Sequence, residues 1–345
     1  MQRIAITGAS GFIGTALVHA LAERGHAVVA LDQHAPREPL PAERFIQADI
    51  EDQGALNEAF HGVDVVHHLA ALPSIARAPE LQYWRVNVAG TRAALASAQS
   101  SGVRHFVHMS SSTVYGAPSQ CPIPESAPLR PRNPYSRTKA AAEEAVQIAS
   151  RNGMPCTILR PRVVVGRGRA GVFALLFHFI ARGLPIPLPG GGRNQFQFTA
   201  VEDLVSAAIA AAREEPGSRC PIYNIGSDVR APLRSELEGL IAFAGSRSRI
   251  TALPGAPMLW SLSLLEKLGL SPLVPEQTQI LARDFVLDTT LARERIGFVP
   301  LHDNNQGLLE AWSWWSEHLG PGGIRDLVGH WKMRHQNALQ RRGGV

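Results

Sequence analysis

The sequence predicts an α/β fold: a doubly wound parallel sheet with a smaller, mostly C-terminal lobe. Short strand-like runs recur between helical, Ala-rich stretches, the runs are apolar at consecutive positions, and glycines crowd the turn after the first of them. In order the runs are Arg3–Thr7, His26–Leu31, Phe45–Gln47, Val63–His67, His105–Met109, Cys156–Arg160 and Ile222–Asn224. Their rhythm reads as right-handed βαβ units. Val65 with Val66, and Phe106 with Val107, are adjacent apolar residues, as expected of strands covered on both faces. After Arg160 the texture changes: Gly166–Gly171, Gly183–Gly192 and Leu253–Pro257 interrupt apolar helices expected at Val172–Ile180 and Met258–Leu270. The expected division is a sheet domain of residues 1–165 with 196–226, a second lobe of 167–195 with 227–320, and a tail of 321–345.

A chain of 345 residues with 45% hydrophobic and 18% charged residues can bury a sizeable core. The net charge of +5 is unevenly spread. Arg325, Lys332, Arg334, Arg341 and Arg342 against Asp326 put +4 in the last 25 residues, leaving +1 for the rest, so the body is not a nucleic-acid binder. Lysines occur only at 139, 267 and 332; a coding bias toward Arg and Ala accounts for most of the arginines. Cys121, Cys156 and Cys220 are odd in number and form no C-x-x-C pair, which speaks against a disulfide framework or zinc site and fits a reducing cytoplasm. With no charged leader and no run of about 18 apolar residues, a soluble protein is expected. In the tail, Ile324, Leu327, Val328 and Trp331 share a helical face beside basic residues, which suits peripheral membrane contact, a helix docked on the body, or a solvated tail.

Gly8, Gly11 and Gly14 follow the first strand and open a helix. Glycines there let the backbone N–H groups of Gly11, Phe12, Ile13 and Gly14 approach a pyrophosphate at the positive end of the helix, the Rossmann arrangement. Asp32, 18 residues past Gly14, sits where a carboxylate hydrogen-bonds the adenosine ribose and repels a 2′-phosphate, favouring NAD over NADP; nearby Arg37 keeps NADP as the alternative. Asp49 and Ile50 flank the adenine, or Asp49 caps the helix starting near Asp52. His67 and His68 are adjacent on a strand and point to opposite faces, so no metal is expected there.

Tyr135 and Lys139 stand four apart at a helix start and share a face. A phenol of pKa about 10 must shed about three units to act as a base near neutrality, about 4 kcal/mol of differential stabilisation, which nearby cations can supply. Ser110, Ser111, Ser112 and Thr113 end the fifth strand at the carboxyl edge of the sheet, where one hydroxyl can hold a substrate oxygen for Tyr135. Of these, Ser110 is assigned to the cofactor and Ser112 and Thr113 to the substrate.

These segments, with HHLAA (67–71), NVAGT (87–91), LRPRVVVG (159–166), VEDL (201–204), YNIG (223–226) and IGFVP (296–300), stand in an order that resembles the extended short-chain dehydrogenase/reductases of the NAD-dependent epimerase/dehydratase group, over about the first 300 residues. The resemblance implies that Tyr135 is the general base and acid, that Lys139 lowers its pKa and binds the nicotinamide ribose, and that Ser111 orients the substrate. It also implies that Leu69, Ala70 and Ala71 line the cofactor, that Pro161 and Val163 face the nicotinamide carboxamide, and that the protein is a homodimer through helices flanking Tyr135.

Two departures bear on the reaction. Sugar 4,6-dehydratases of the group carry Asp-Glu after the orienting residue, whereas Ser112 and Thr113 stand here, so dehydration ranks third. Nucleotide-sugar members carry an Arg for the diphosphate where this chain has Phe196; Arg193 takes over that contact, or the substrate has no diphosphate. A nucleotide-sugar epimerase is favoured narrowly over a hydroxysteroid dehydrogenase or ketoreductase with an apolar substrate. An NAD-binding sensor or scaffold is the non-enzymatic alternative, against which the intact Ser111, Tyr135 and Lys139 set speaks.

Overall fold

Residues 1–76, 78–213, 220–253 and 283–320 are described by the computed structural model; the helix expected at 258–270 and the tail of 321–345 lie outside them. In chain order the first elements are β1 (Arg3–Thr7), α1 (Phe12–Glu23), β2 (Ala27–Asp32), β3 (Arg44–Gln47), α2 (Gln53–Phe60), β4 (Val65–His68), α3 (Glu80–Tyr83), a wide π turn Trp84–Ala89, α4 (Gly90–Ser100) and β5 (His105–Met109). They continue with α5 (Pro134–Arg151), β6 (Cys156–Pro161), β7 (Val163–Val165), α6 (Ala174–Ala181), β8 (Ile186–Pro189), β9 (Phe198–Ala200), α7 (Val201–Ala211), β10 (Ile222–Ile225), α8 (Leu233–Phe243), β11 (Ile250–Leu253), α9 (Thr290–Ile296) and α10 (Gln306–His318).

Seven strands form one parallel sheet in the order β10-β6-β5-β4-β1-β2-β3. The strand order reverses at β1, which pairs with β2 on one side and β4 on the other; a ligand crevice opens at the carboxyl ends of strands flanking such a switch. Successive strand residues enter different cores. Ile4, Val65, Val107 and Leu159 pack with α1 and α7 residues on one face, while Ala5, Val66, Phe106 and Ile158 pack with α2, α4 and α5 residues on the other. This is why the runs show no hydrophobic alternation: both faces are dry.

The chain divides into two compact units, Met1–Val164 with Gln197–Val229 and Phe285–Asn304, and Val165–Phe196 with Arg230–Asp284 and Asn305–Val345. Residues 285–304, expected in the second lobe, instead stitch into the first unit: Ile123 N donates to Val286 O, Asp288 N to Ile123 O, and Leu287 N to the buried Gln197 Oε1. In the second unit β8 pairs with β11, and Phe177 stands edge-on to Trp312 at 5.6 Å beside the buried Trp315. Among the described residues no helix is long and apolar enough to cross a membrane.

Local signals explain where the functional helices begin. Asn133 caps α5: its Oδ1 accepts from Ser136 N at 2.6 Å, Ser136 Oγ accepts from Asn133 N at 3.1 Å, and Pro134 occupies the first helical position. Asp52, not Asp49, caps α2 by accepting from Ala55 N at 3.0 Å. The Asp49 carboxylate is too far upstream and instead closes its own turn on Glu51 N.

Four buried histidines on β4 and β5 make the sheet acid-sensitive. Burial depresses His67 and His68 to about 3 and His105 to about 4, and pushes His108 well below 6.5. Below pH 6.5 the unfolded chain binds protons that the folded rings refuse, so each ring contributes a loss of up to about 1.4 kcal/mol per pH unit as pH falls toward its folded value. Denaturant unfolding at pH 7 and pH 5 should show this fall, with a shallower slope in His67→Leu, which removes a ring whose Nε2 finds no hydrogen-bond partner among the described residues. Equal slopes in wild type and variant would dismiss the account.

Candidate active site

Loops at the carboxyl ends of β1, β4, β5 and β6 bring the expected residues to one edge of the sheet. Gly8 has φ +73° and lies so close to the β4 loop that a Cβ there would stand 2.8 Å from Ala70 N; a Cβ on Gly14 would stand 2.1 Å from Gly8 O. Only glycine fits either place. Gly11 precedes α1, whose first turn, including Phe12 and Ile13, has neither a capping side chain nor an acidic residue. Asp32 ends β2 and clamps the turn, Oδ2 accepting from Ser10 N and Oδ1 from His34 N, both at 3.0 Å. Leu69 N donates to Thr7 O, and Leu69, Ala70 and Ala71 are half-buried. Ile50 is seated in the core against Gly90.

On α5, Tyr135 is half-buried in the first turn and Lys139 lies one turn on, 2% exposed. Lys139 Nζ donates to Met109 O at 2.6 Å and stands 3.4 Å from His108 Nε2. Burial lowers the ammonium to about 8, opposed by the Glu143 carboxylate one turn further along. Glu143 itself is engaged: Arg160 donates to it through Nε at 2.9 Å and Nη2 at 2.6 Å, and Ser110 Oγ also donates to Oε1. The fully enclosed pair carries on to Tyr115, whose hydroxyl accepts from Arg160 Nη1 and donates to Asn224 Oδ1.

The serine run separates by burial. Ser110 is turned inward onto Glu143, Ser112 is enclosed, and Ser111 and Thr113 remain half-buried. Ser111 Oγ caps the short turn Ser112–Tyr115, accepting from Thr113 N at 3.3 Å and from Thr113 Oγ1 at 3.0 Å. Pro161 is buried at the end of β6 and Val163 is half-buried beyond it. In the second unit Phe196 is buried and Arg193 is exposed.

One connection escaped the sequence reading. Thr91 Oγ1 donates to Asn87 O at 2.7 Å, so its contact with His68 Nε2 at 3.0 Å must be donated by the ring; His68 Nδ1 then accepts from Thr7 Oγ1 at 2.8 Å, and Thr7 accepts from Ala70 N. Asn87 in turn accepts from Leu72 N and donates to Thr138 Oγ1 on α5 at 3.0 Å. Asn87 thus ties the β4 loop to the Tyr135 helix. The π turn that presents it leaves no hydrophobic period to read. Arg162, also unforeseen, is buried with its guanidinium 4.0 Å from the Phe285 ring centroid, and burial lowers it to about 9.

The sequence pattern of the NAD dependent epimerase/dehydratase family matches residues 4–226. The chain belongs to that family. It is 29% identical to a UDP-glucose 4-epimerase of Streptomyces lividans over 93% of this chain and 98% of that one. It is 30% identical to the 4-hydroxy-2-methyl-3-oxo-4-farnesyl-3,4-dihydroquinoline-1-oxide ketoreductase of Stigmatella aurantiaca, over 89% and 95%. The structure of MoeE5 with UDP-glucose and NAD superposes with a TM-score of 0.73 at 26% identity, over 92% of this chain and 99% of that one.

Membership makes the chain an NAD-dependent epimerase/dehydratase-family enzyme, and its own residues fit the dinucleotide. At Gly8 and Gly14 the protein's own backbone occupies the place of a Cβ, which makes the tight turn of a dinucleotide site, and the head of α1 beyond it carries no capping or acidic side chain to compete with a pyrophosphate. Calorimetric titration with NAD should show Gly14→Ala weakened by about tenfold or more. An affinity equal to wild type in a folded Gly14→Ala protein would remove the glycine turn from the cofactor site.

Proposed function

We propose that this enzyme interconverts a secondary alcohol and a ketone of a nucleotide sugar and returns the substrate epimerised. The observation that carries the proton chemistry is the dry ammonium of Lys139 one helical turn from Tyr135 on a pre-capped helix. Bound NAD supplies the group that accepts and gives back hydride.

In this reading Tyr135 takes the carbinol proton and later returns it. Removing water from Lys139 strengthens its field, so the neighbouring phenol is stabilised as phenolate. Ser111, a half-buried hydroxyl of the run, donates to the substrate oxygen and keeps it aligned with Tyr135. Ser110 is spent on Glu143 and serves by fixing the loop. Asp32 receives the adenosine ribose and disfavours a 2′-phosphate.

The nucleotide-sugar reading is supported by the UDP-glucose epimerase relative and by the UDP-glucose complex of the structural relative. A second reading, a ketoreductase- or hydroxysteroid-dehydrogenase-like enzyme with an apolar substrate, is favoured by a specific residue. Phe196, standing where relatives of the first kind place a diphosphate-binding Arg, is buried and offers no donor to an anion. Arg193 is exposed and is the remaining candidate in that segment. Binding of UDP-, dTDP-, GDP- and CDP-sugars measured against a steroid and 3-oxoacyl panel separates the two: nucleotide binding outside the NAD site decides for the sugar, and its absence for the apolar substrate.

Tyr135→Phe should lower turnover by at least about 10²-fold while leaving NAD affinity within a factor of about two. Wild-type turnover in that variant would end the mechanism. Homodimerisation belongs to the same proposal, since Leu81, Trp84 and Ile148 expose apolar surface on the helical segments flanking Tyr135. Sedimentation equilibrium should return twice the mass of the chain, and a single-chain mass at micromolar concentration would exclude it.

A further inference from the structure

We propose that His108 is a positioning residue for Lys139: its Nε2 accepts one ammonium proton while Met109 O accepts another, leaving a single N–H for the cofactor site. The contact is intimate and dry. His108 is 0% exposed on β5, and its Nε2 stands 3.4 Å from Lys139 Nζ. An ammonium has three donors and no lone pair, so only a bare Nε2 makes this contact attractive. The ring proton must then sit on Nδ1, which has no hydrogen-bond partner among the described residues.

A buried donor without a partner has a cost that Phe or Leu at the same place would avoid, so packing alone does not account for a histidine here. The ring is also held in orientation. It stacks on His68 with centroids 5.5 Å apart and planes inclined by 23°, and His68 is pinned on both nitrogens by Thr7 and Thr91. Burial and the adjacent ammonium keep His108 uncharged, hence an acceptor.

The ionisable groups around Lys139 are His108 and His68 from the sheet and Glu143 and Tyr135 from its own helix. Both Glu143 oxygens are already occupied by Arg160, and one also by Ser110, so the carboxylate acts on Lys139 through space rather than through a hydrogen bond. His108 and the Met109 carbonyl are left as the groups that fix where the ammonium points. The inference rests on the Tyr135–Lys139 reading only for its catalytic consequence. A titration of Lys139 tests the contact whether or not Tyr135 is the base.

Because lysines occur only at 139, 267 and 332, full-length protein labelled with [ε-13C]lysine and saturated with NAD gives a simple spectrum, assigned with Lys267→Arg and Lys332→Arg. In His108→Phe the Lys139 midpoint should fall by about one unit, and in His108→Gln, whose amide oxygen can stand where Nε2 stood, it should return to within a few tenths of wild type. An unchanged midpoint in His108→Phe, or a His108→Gln midpoint as low as that of His108→Phe, overturns the proposal. Where the Phe variant fails to fold, 15N shifts of the wild-type ring, identified by its loss in His108→Gln, decide: a protonated Nδ1 with bare Nε2 supports it, and the opposite tautomer refutes it.

Discussion

The ammonium of Lys139 is almost completely removed from water, and the carboxylate nearest to it along the helix is already bonded to Arg160 and Ser110. A charge so placed must be held by neutral acceptors or be lost, because desolvation opposes it with little screening. The surroundings answer to that constraint. Met109 contributes a strand carbonyl, the neighbouring histidines are too deeply buried to carry charge themselves, and the Arg160–Glu143 pair settles its own charge internally. What remains is one dry cation a helical turn from Tyr135, at the carboxyl edge of the sheet.

Backbone topology brings the other components to the same edge. With β1 between β2 and β4, the glycine turn after β1 and the Leu69–Ala71 turn after β4 meet so closely that Gly8 admits no side chain. Asp32 is then both the residue suited to a ribose and a strut for the turn, through Ser10 and His34. The Thr7–His68–Thr91–Asn87 chain extends from this turn to Thr138 on α5, so the turn and the Tyr135 helix share one set of hydrogen bonds. A buried polar network of this kind, fully satisfied at His68, favours one arrangement over its neighbours.

Phe196 and Arg193 belong to the second unit, and the buried ring with the exposed guanidinium differs from a donor aimed at a diphosphate. The relatives include both a UDP-glucose 4-epimerase and a ketoreductase, so membership of the family does not by itself fix the substrate.

Local chemistry made much of this legible from the amino acids alone. Strand runs apolar at consecutive positions, glycines in the turn after the first strand, and a tyrosine and lysine one turn apart are each short-range patterns, and the first of them led to the sheet. Short range also set the limit. The cap of α2 is Asp52, directly before Gln53, and not Asp49 three residues upstream, and the return of residues 285–304 to the first unit involves hydrogen bonds spanning well over a hundred positions. The tautomer of His68, the turning of Ser110 onto Glu143 and the contact between His108 and Lys139 arise from packing elements that are distant in the chain. A sequence specifies which donors and acceptors exist; only the folded interior, by excluding water, decides which of them must satisfy one another.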